Sequence, residues 1–167
     1  TSTVNDMKVL IYTYCSTKTT FNADITAWDT SSVTIMASMF SGASSFNQGV
    51  GFWDVGKVTN MEGMFTSAAA FNQAIGAWSV GRVTTMFGMF NSGGAASVLN
   101  QDLGAWDVSK VTAMNWMLAG TAAFAQVLCW DLITGKTTTV MFTNSPGTTN
   151  PGQAKCGRKP NRCIAHS

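Results

Sequence analysis

The sequence predicts an α/β solenoid, a stack of about five 25-residue coils that each hold a short parallel β-strand and a short helix. Two observations lead to this fold class. A tryptophan stands about a dozen residues before a Met-Phe or Met-Leu pair, and this arrangement recurs about every 25 residues. Apolar residues also occupy the same positions in each copy. Self-similarity at about 20 to 50 residues is typical of repeat proteins, whose units bury their apolar faces against their neighbours.

The repeat divides the chain into three parts. Residues 1–20 are predicted to form an N-terminal half-coil cap, because four apolar residues follow the spacing of a coil's second half: Val4, Met7, Leu10 and Ile11. The five coils are predicted at residues 21–45, 46–70, 71–98, 99–123 and 124–145. The third is three residues longer than the first, around Gly93 and Gly94, so we expect a loop there. Residues 146–167 form a basic tail that contains cysteine, glycine and proline.

Within each coil, one stretch fits a helix and another fits a strand. Between Val33 and Ala43 the apolar spacing is typical of one helix face, and Thr34 stands at the expected N-cap. Residues 25–30 are followed by polar turn residues, which predicts one strand per coil and a parallel sheet. The core is expected to contain a ladder of tryptophans, namely Trp28, Trp53, Trp78, Trp106 and Trp130.

The best-preserved copies carry a family resemblance. FNQGVGFWDVGKVTNMEGMF and LNQDLGAWDVSKVTAMNWML resemble the 25-residue repeat of the BspA-like leucine-rich-repeat surface proteins. The resemblance covers residues 21–145, although Gly135 and Thr138 replace the expected Val and Met in the fifth copy. It implies a leucine-rich-repeat-like solenoid at a cell surface, with a role in adhesion or surface structure. It implies no catalytic residues.

Composition argues against several classes of function. Charged residues make up 11% of the chain, against about 25% in ordinary globular proteins. Residues 1–154 hold six Lys or Arg and eight Asp or Glu, so this body lacks the basic face that nucleic-acid binding needs. No apolar run approaches about 18 residues, so we expect no membrane insertion. The four cysteines and low charge favour an extracellular or cell-surface location.

The sequence offers no catalytic constellation. Histidine occurs once, at His166, and cannot complete a nucleophilic triad. The acids Asp29, Asp54, Asp107 and Asp131 fall in one repeat column, as turn-forming residues would. An active site needs one distinct arrangement of residues, whereas these acids occupy equivalent positions in several coils. We therefore predict that the protein is not an enzyme and uses no cofactor or metal.

Three polar columns are candidates for binding or for structure. Lys57, Arg82 and Lys110 occupy one position in consecutive coils, where they would pair with Asp54 and Asp107 or attract an anionic partner such as a sulfated glycan. An asparagine column is expected to bond the backbone of adjacent coils: Asn22, Asn47, Asn72 and Asn100. A threonine column offers a remote resemblance to ice-binding arrays: Thr34, Thr59, Thr84 and Thr112.

The cysteines constrain how the ends of the stack are used. Cys15 and Cys129 are separated by four coils, about 20 Å, whereas a disulfide tolerates at most about 7 Å between Cα atoms. Cys129 can therefore pair with Cys156 or Cys163 and leave Cys15 for a bond between chains. Two alternatives remain open. Cys156 can pair with Cys163, which leaves two buried thiols, or the tail can run back to Cys15.

These features predict an extracellular structural or adhesive repeat module. One form of it is a subunit that binds copies of itself end to end in a surface filament, because a head-to-tail contact that does not close gives an open filament. The alternative is an adhesion module with capped ends that binds a glycan or another surface protein through a side face. Ice binding is a distant third.

Overall fold

The computed structural model describes Met7 and residues 18–130, 137–138 and 140–149. Its regular elements are two 3-10 helices, Lys18–Thr20 and Val50–Phe52, and two strands, β1 at Val127–Leu128 and β2 at Thr148–Thr149, which pair in parallel. Turns and irregular backbone make up the rest of the described chain. The predicted leucine-rich-repeat-like α/β solenoid is therefore wrong, because the described residues contain no α-helix and only these two strands.

The segment predicted as a helix consists of consecutive turns. Alternate N–H groups of the first repeat donate to carbonyls of the second at 2.7 to 2.9 Å, those of Met36, Ser38, Phe40 and Gly42. The N–H groups of Met39, Ser41 and Ala43 donate three residues back within their own repeat, as from Ala43 to Phe40 at 3.0 Å. An α-helix needs each of these groups for a bond four residues back. Hydrogen bonds to the neighbouring repeat therefore replace the hydrogen bonds that an α-helix would make.

Left-handed residues recur at one shared position of each repeat in these turns. Their φ angles lie between 54° and 61°, at Ser38, Gly63, Gly88, Trp116 and Val140. The left-handed conformation costs roughly 1–2 kcal/mol for a residue with a Cβ atom and is open to glycine. A regular helix cannot pass through such a residue.

The predicted strand is also absent from residues 25–30, which contain a turn at residues 26–27. In the second repeat, the Trp53 N–H donates to the carbonyl of Val50 at 3.1 Å. The same carbonyl accepts a bond from the Trp78 indole Nε1 of the next repeat, also at 3.1 Å. A side chain thus supplies the bond between repeats that a strand would have made with its backbone.

The repeats are nevertheless held in register. Single parallel bridges join one residue of each repeat to the next: Ile35, Asn60, Thr85, Ala113 and Thr137. Beside them, Thr84 donates to the Thr59 carbonyl from its N–H at 2.8 Å and from its hydroxyl at 3.1 Å. The N-cap role predicted for this threonine column is wrong, because no helix follows it and the hydroxyls bond the preceding repeat.

One hydrophobic core runs through the described repeats. Phenylalanines from two columns stack within it, at ring-centroid separations of 4.0 Å for Phe40 and Phe46 and 3.9 Å for Phe65 and Phe71. Methionines fill the space beside them and are fully buried: Met36, Met39, Met61, Met64, Met86, Met89, Met114 and Met117. Met7 is buried in front of the first repeat, where its N–H donates to the Ile35 carbonyl at 2.9 Å.

Candidate functional site

The basic column lies on the surface of the described repeats. Lys57, Arg82 and Lys110 are all exposed, each in a turn that follows a buried Trp-containing segment. None of the three forms an ion pair within the part of the chain that the structure describes. Because the surrounding turns are equivalent, the three cations recur at the spacing of the repeats. The arrangement can present a row of positive charge to a partner.

The neighbouring acids serve as turn formers. The Oδ1 atom of Asp54 accepts the Gly56 N–H at 2.9 Å, and that of Asp107 accepts the Ser109 N–H at 3.1 Å. The third repeat has Ser79 at this position, so the acidic column is interrupted beside Arg82. The Asp107 carboxylate of the fourth repeat nevertheless lies beside Gly81, the residue before Arg82, where a Cβ atom would meet its Oδ2 atom at 3.3 Å.

The acids of the first repeat carry lowered pKa values. Hydrogen bonds from the side chain and then the backbone N–H of Ser31 lower the pKa of Asp29, and the positive charge of Lys57 acts in the same direction. Hydrogen bonds from the Thr26 hydroxyl and then its backbone N–H lower the pKa of Asp24. Both carboxylates are exposed, so their charge is available to the solvent and to a partner.

The tryptophan column is not uniform. Trp53, Trp78, Trp106 and Trp130 are at most 5% exposed, whereas Trp28 is 38% exposed. The buried four donate Nε1 to a carbonyl of the preceding repeat, as Trp106 does to Ile75 at 3.0 Å. Trp28 is the first of the series and stacks on Trp53 at 6.3 Å. It therefore presents an indole face at the N-terminal end of the repeats.

The predicted bonding of the asparagine column to adjacent repeats is confirmed, although these side chains lie at the surface. The Asn47 Oδ1 atom accepts the Asn72 N–H at 2.9 Å and the Gln73 Nε2 at 2.9 Å. The same pair of bonds recurs with Asn72, Asn100 and Gln101. The glutamine one position after Asn47, Asn72 and Asn100 completes the ladder, and its recurrence in the repeat was the signal for it.

The cysteine predictions fall largely outside the described residues. Cys129 is exposed and disulfide-bonded. Cys15, Cys156 and Cys163 lie outside the described residues, so the identity of its partner and the use of Cys15 stay predictions. At the C-terminal end, β2 pairs with β1, and Trp130 is 3% exposed. The last tryptophan is therefore covered, unlike the first.

Three exposed aromatic residues, Phe52, Phe87 and Trp116, were missed because they stand outside the repeated apolar columns. Phe52 is 99% exposed beside Gly49, Gly51 and Ala74, and Trp116 is 40% exposed in the fourth repeat. Elsewhere in the described chain, no group of His, Cys, Asp or Glu is arranged to hold a metal ion. Of the helices described, none is long and apolar enough to cross a membrane.

The comparisons with known proteins identify a family. A family model described as "Mycoplasma protein of unknown function, DUF285" matches residues 1–97 and, a second time, residues 49–153. The match supports a related family of repeat-containing surface proteins and suggests a cell-surface location, without supporting the BspA-like repeat motif itself. No curated protein and no solved structure matches the chain.

Proposed function

The chain belongs to the DUF285 family, and on that premise we propose that it is an extracellular, BspA-like adhesion module that binds an anionic partner through a side face. The partner-binding face is the basic column of Lys57, Arg82 and Lys110. A sulfated glycan fits this column, because its anionic groups recur along a chain as the three cations recur along the repeats. An acidic surface protein is the other class of anionic partner that the basic column could bind.

The observation that carries the proposal is the contrast between the side face and the C-terminal end. An adhesion module needs covered ends and an accessible side, whereas a head-to-tail filament needs two accessible, complementary ends. Trp130 is 3% exposed under the last described segments, and β2 covers β1. The three cations, by contrast, are all exposed.

End-to-end assembly is the second candidate, favoured by one feature. Trp28 is 38% exposed at the first repeat and offers an indole face to another chain. Sedimentation under non-reducing and reducing conditions separates the two functions. The adhesion module predicts a monomer in both, whereas oligomers that dissociate on reduction would favour the filament and an inter-chain bond at Cys15.

The basic column is tested by binding of heparin, used as the sulfated probe, at low salt. Replacing Lys57, Arg82 and Lys110 together with Gln should weaken binding about tenfold, because three exposed ion pairs contribute roughly 0.5 kcal/mol each. The natural chain should also lose affinity as salt rises, since exposed charges are screened.

A matched control removes the same charge from the tail. The triple Gln variant at Lys155, Arg158 and Lys159 also loses three positive charges but leaves the column intact. The proposal expects this variant to bind heparin within about twofold of the natural chain. If the tail variant loses binding and the column variant keeps it, the side face is not the site.

A further inference from the structure

The repeat pattern is interrupted in the third copy, and a depression opens there. The interruption contains Gly93 and Gly94, whose φ angles are 59° and 90°. Beside them is a shallow depression of about 210 Å³, lined by residues of the third, fourth and fifth repeats. Its volume is below the roughly 300–1,000 Å³ of sites for drug-sized ligands, so it suits one small ring. We call it the Trp116 depression, after its only aromatic residue among those described.

The frame of the Trp116 depression is fixed by backbone hydrogen bonds between repeats. The Ser92 N–H donates to Ala119 at 3.0 Å, and the Gly120 N–H donates to Thr143 at 2.7 Å. The Gly120 backbone also approaches the Ser92 hydroxyl so closely that a Cβ atom would overlap it. A site held in this way loses little conformational freedom when a ligand binds.

Trp116 stands where its own backbone disfavours it. Its φ angle is 61°, at the turn position where the two preceding repeats have Gly63 and Gly88. A bulky side chain in the left-handed region is strained, so a tryptophan at this position is retained at a conformational cost. The Trp116 side chain nevertheless remains 40% exposed, so the stability gained by burying it offsets only part of this strain.

The chemistry around the indole is polar and uncharged. Asn91, Ser92 and Asn144 are among the residues that line the depression, and none of the described residues around it is ionisable. The Asn91 Oδ1 atom accepts the Gly93 N–H at 2.8 Å, an arrangement that directs its amide NH₂ group away from that bond. Amides and hydroxyls donate to and accept from sugar hydroxyl groups, while the electron-rich face of an indole attracts C–H groups.

We propose that the Trp116 depression binds one neutral pyranose ring of a glycan. The C–H-rich face of the ring packs on the Trp116 indole, and its hydroxyl groups bond Asn91, Asn144 and neighbouring backbone groups. The site shares no residue with the basic column and needs no charge on its ligand. It therefore adds a second, uncharged recognition element to the surface and does not depend on the proposed anionic partner.

The test follows the indole N–H signals of the ¹⁵N-labelled full chain in NMR spectra during titration with lactose, cellobiose and mannobiose. The proposal expects at least one disaccharide to shift the Trp116 signal with a Kd in the millimolar range, about the level of one small contact. The Trp28→Ala variant, which lacks the other exposed indole, should bind equally well. If no sugar moves the Trp116 signal, the proposal is wrong.

Substitution separates recognition from folding. The Trp116→Gly variant places the residue of the two preceding repeats at this turn, so the remaining indole signals should stay dispersed. Its sugar affinity, measured from the side-chain amide signals of Asn91 and Asn144, should fall at least about tenfold. Trp116→Phe keeps an aromatic face and should retain measurable binding. Unchanged sugar binding by a folded Trp116→Gly variant would overturn the proposal, whatever the heparin experiment shows.

Discussion

The middle repeats and the first repeat follow the same backbone path with different residues. In the middle, Trp78 is 4% exposed and Gly63 and Gly88 occupy the left-handed turn position. In the first repeat Trp28 is 38% exposed and Ser38 occupies that turn position. The backbone path is retained in both regions, while the fit of individual residues to it is best in the middle.

The difference follows from the number of neighbours that hold each repeat. A middle repeat bonds to a repeat on both sides, and its side chains are enclosed by both. In repeat proteins, stability is approximately the sum of the repeats and their interfaces, so a terminal repeat contributes one interface fewer. Unfavourable residues are therefore tolerated in the first repeat as long as its interface with the second imposes the backbone path.

The largest expected effect is the loss of a middle tryptophan. Trp78→Ala should lower the free energy of unfolding by about 3–5 kcal/mol, because it leaves a cavity and removes the indole bond to Val50. Trp28→Ala is the matched control and should cost clearly less, since its ring is partly exposed. Thermal and denaturant unfolding measure both. Equal losses at the two positions would contradict the comparison between middle and end.

A smaller effect is expected from exchanging the turn residues of the two regions. Ser38→Gly should stabilise the protein by about 0.5–1 kcal/mol, because it removes left-handed strain but adds freedom to the unfolded chain. Gly88→Ser should destabilise it by a similar amount, and a Cβ atom there meets only Asn91, at 3.9 Å. Urea unfolding of both variants measures the change. Shifts of the same sign would show that backbone strain does not govern this position.

The smallest expected effect is a loss of folding stability at acidic pH. Because hydrogen bonds in the folded state lower the pKa values of Asp24 and Asp29 below 3.8, the stability they confer is present above that pH and is lost as the pH falls through the folded-state values. Melting temperatures should be insensitive to these groups at neutral pH and fall in acid. Asp29→Asn keeps an oxygen for the Ser31 N–H but does not titrate, so its acid-induced loss should be shallower. An identical acid profile would exclude this contribution.

Much of the core could be predicted because the apolar columns are independent of the local conformation. Val33, Met36, Phe40 and Ala43 are buried whether their segment is a helix or a pair of turns, since both bring residues three and four apart to one side. The type of structure could not be predicted from that spacing. The informative signal was the glycine between the two methionines, at Gly63 and Gly88, which a helix disfavours.

The surface was less predictable than the core. The exposure of Lys57, Arg82 and Lys110 follows from their place between apolar columns, but Phe52 and Trp116 stand in positions where their apolar character predicts burial. Their exposure depends on how the turns direct each side chain, and on the loop at Gly93. The sequence signal that could have pointed to the Trp116 depression is a position that differs from its equivalents, since Trp116 stands where the two preceding repeats have Gly63 and Gly88.

The ladders between repeats also determine the electrostatic polarity of the whole array. On one side, N–H groups of each repeat point toward the following repeat, as from Phe40 to Met64; on another they point backward, as from Thr84 to Thr59. Dipoles that run in opposite senses partly cancel, as they do between the strands of a sheet. An array lengthened by further repeats would therefore have a much smaller net dipole than a helix of the same length. Neither of its ends would attract anions or cations through such a dipole.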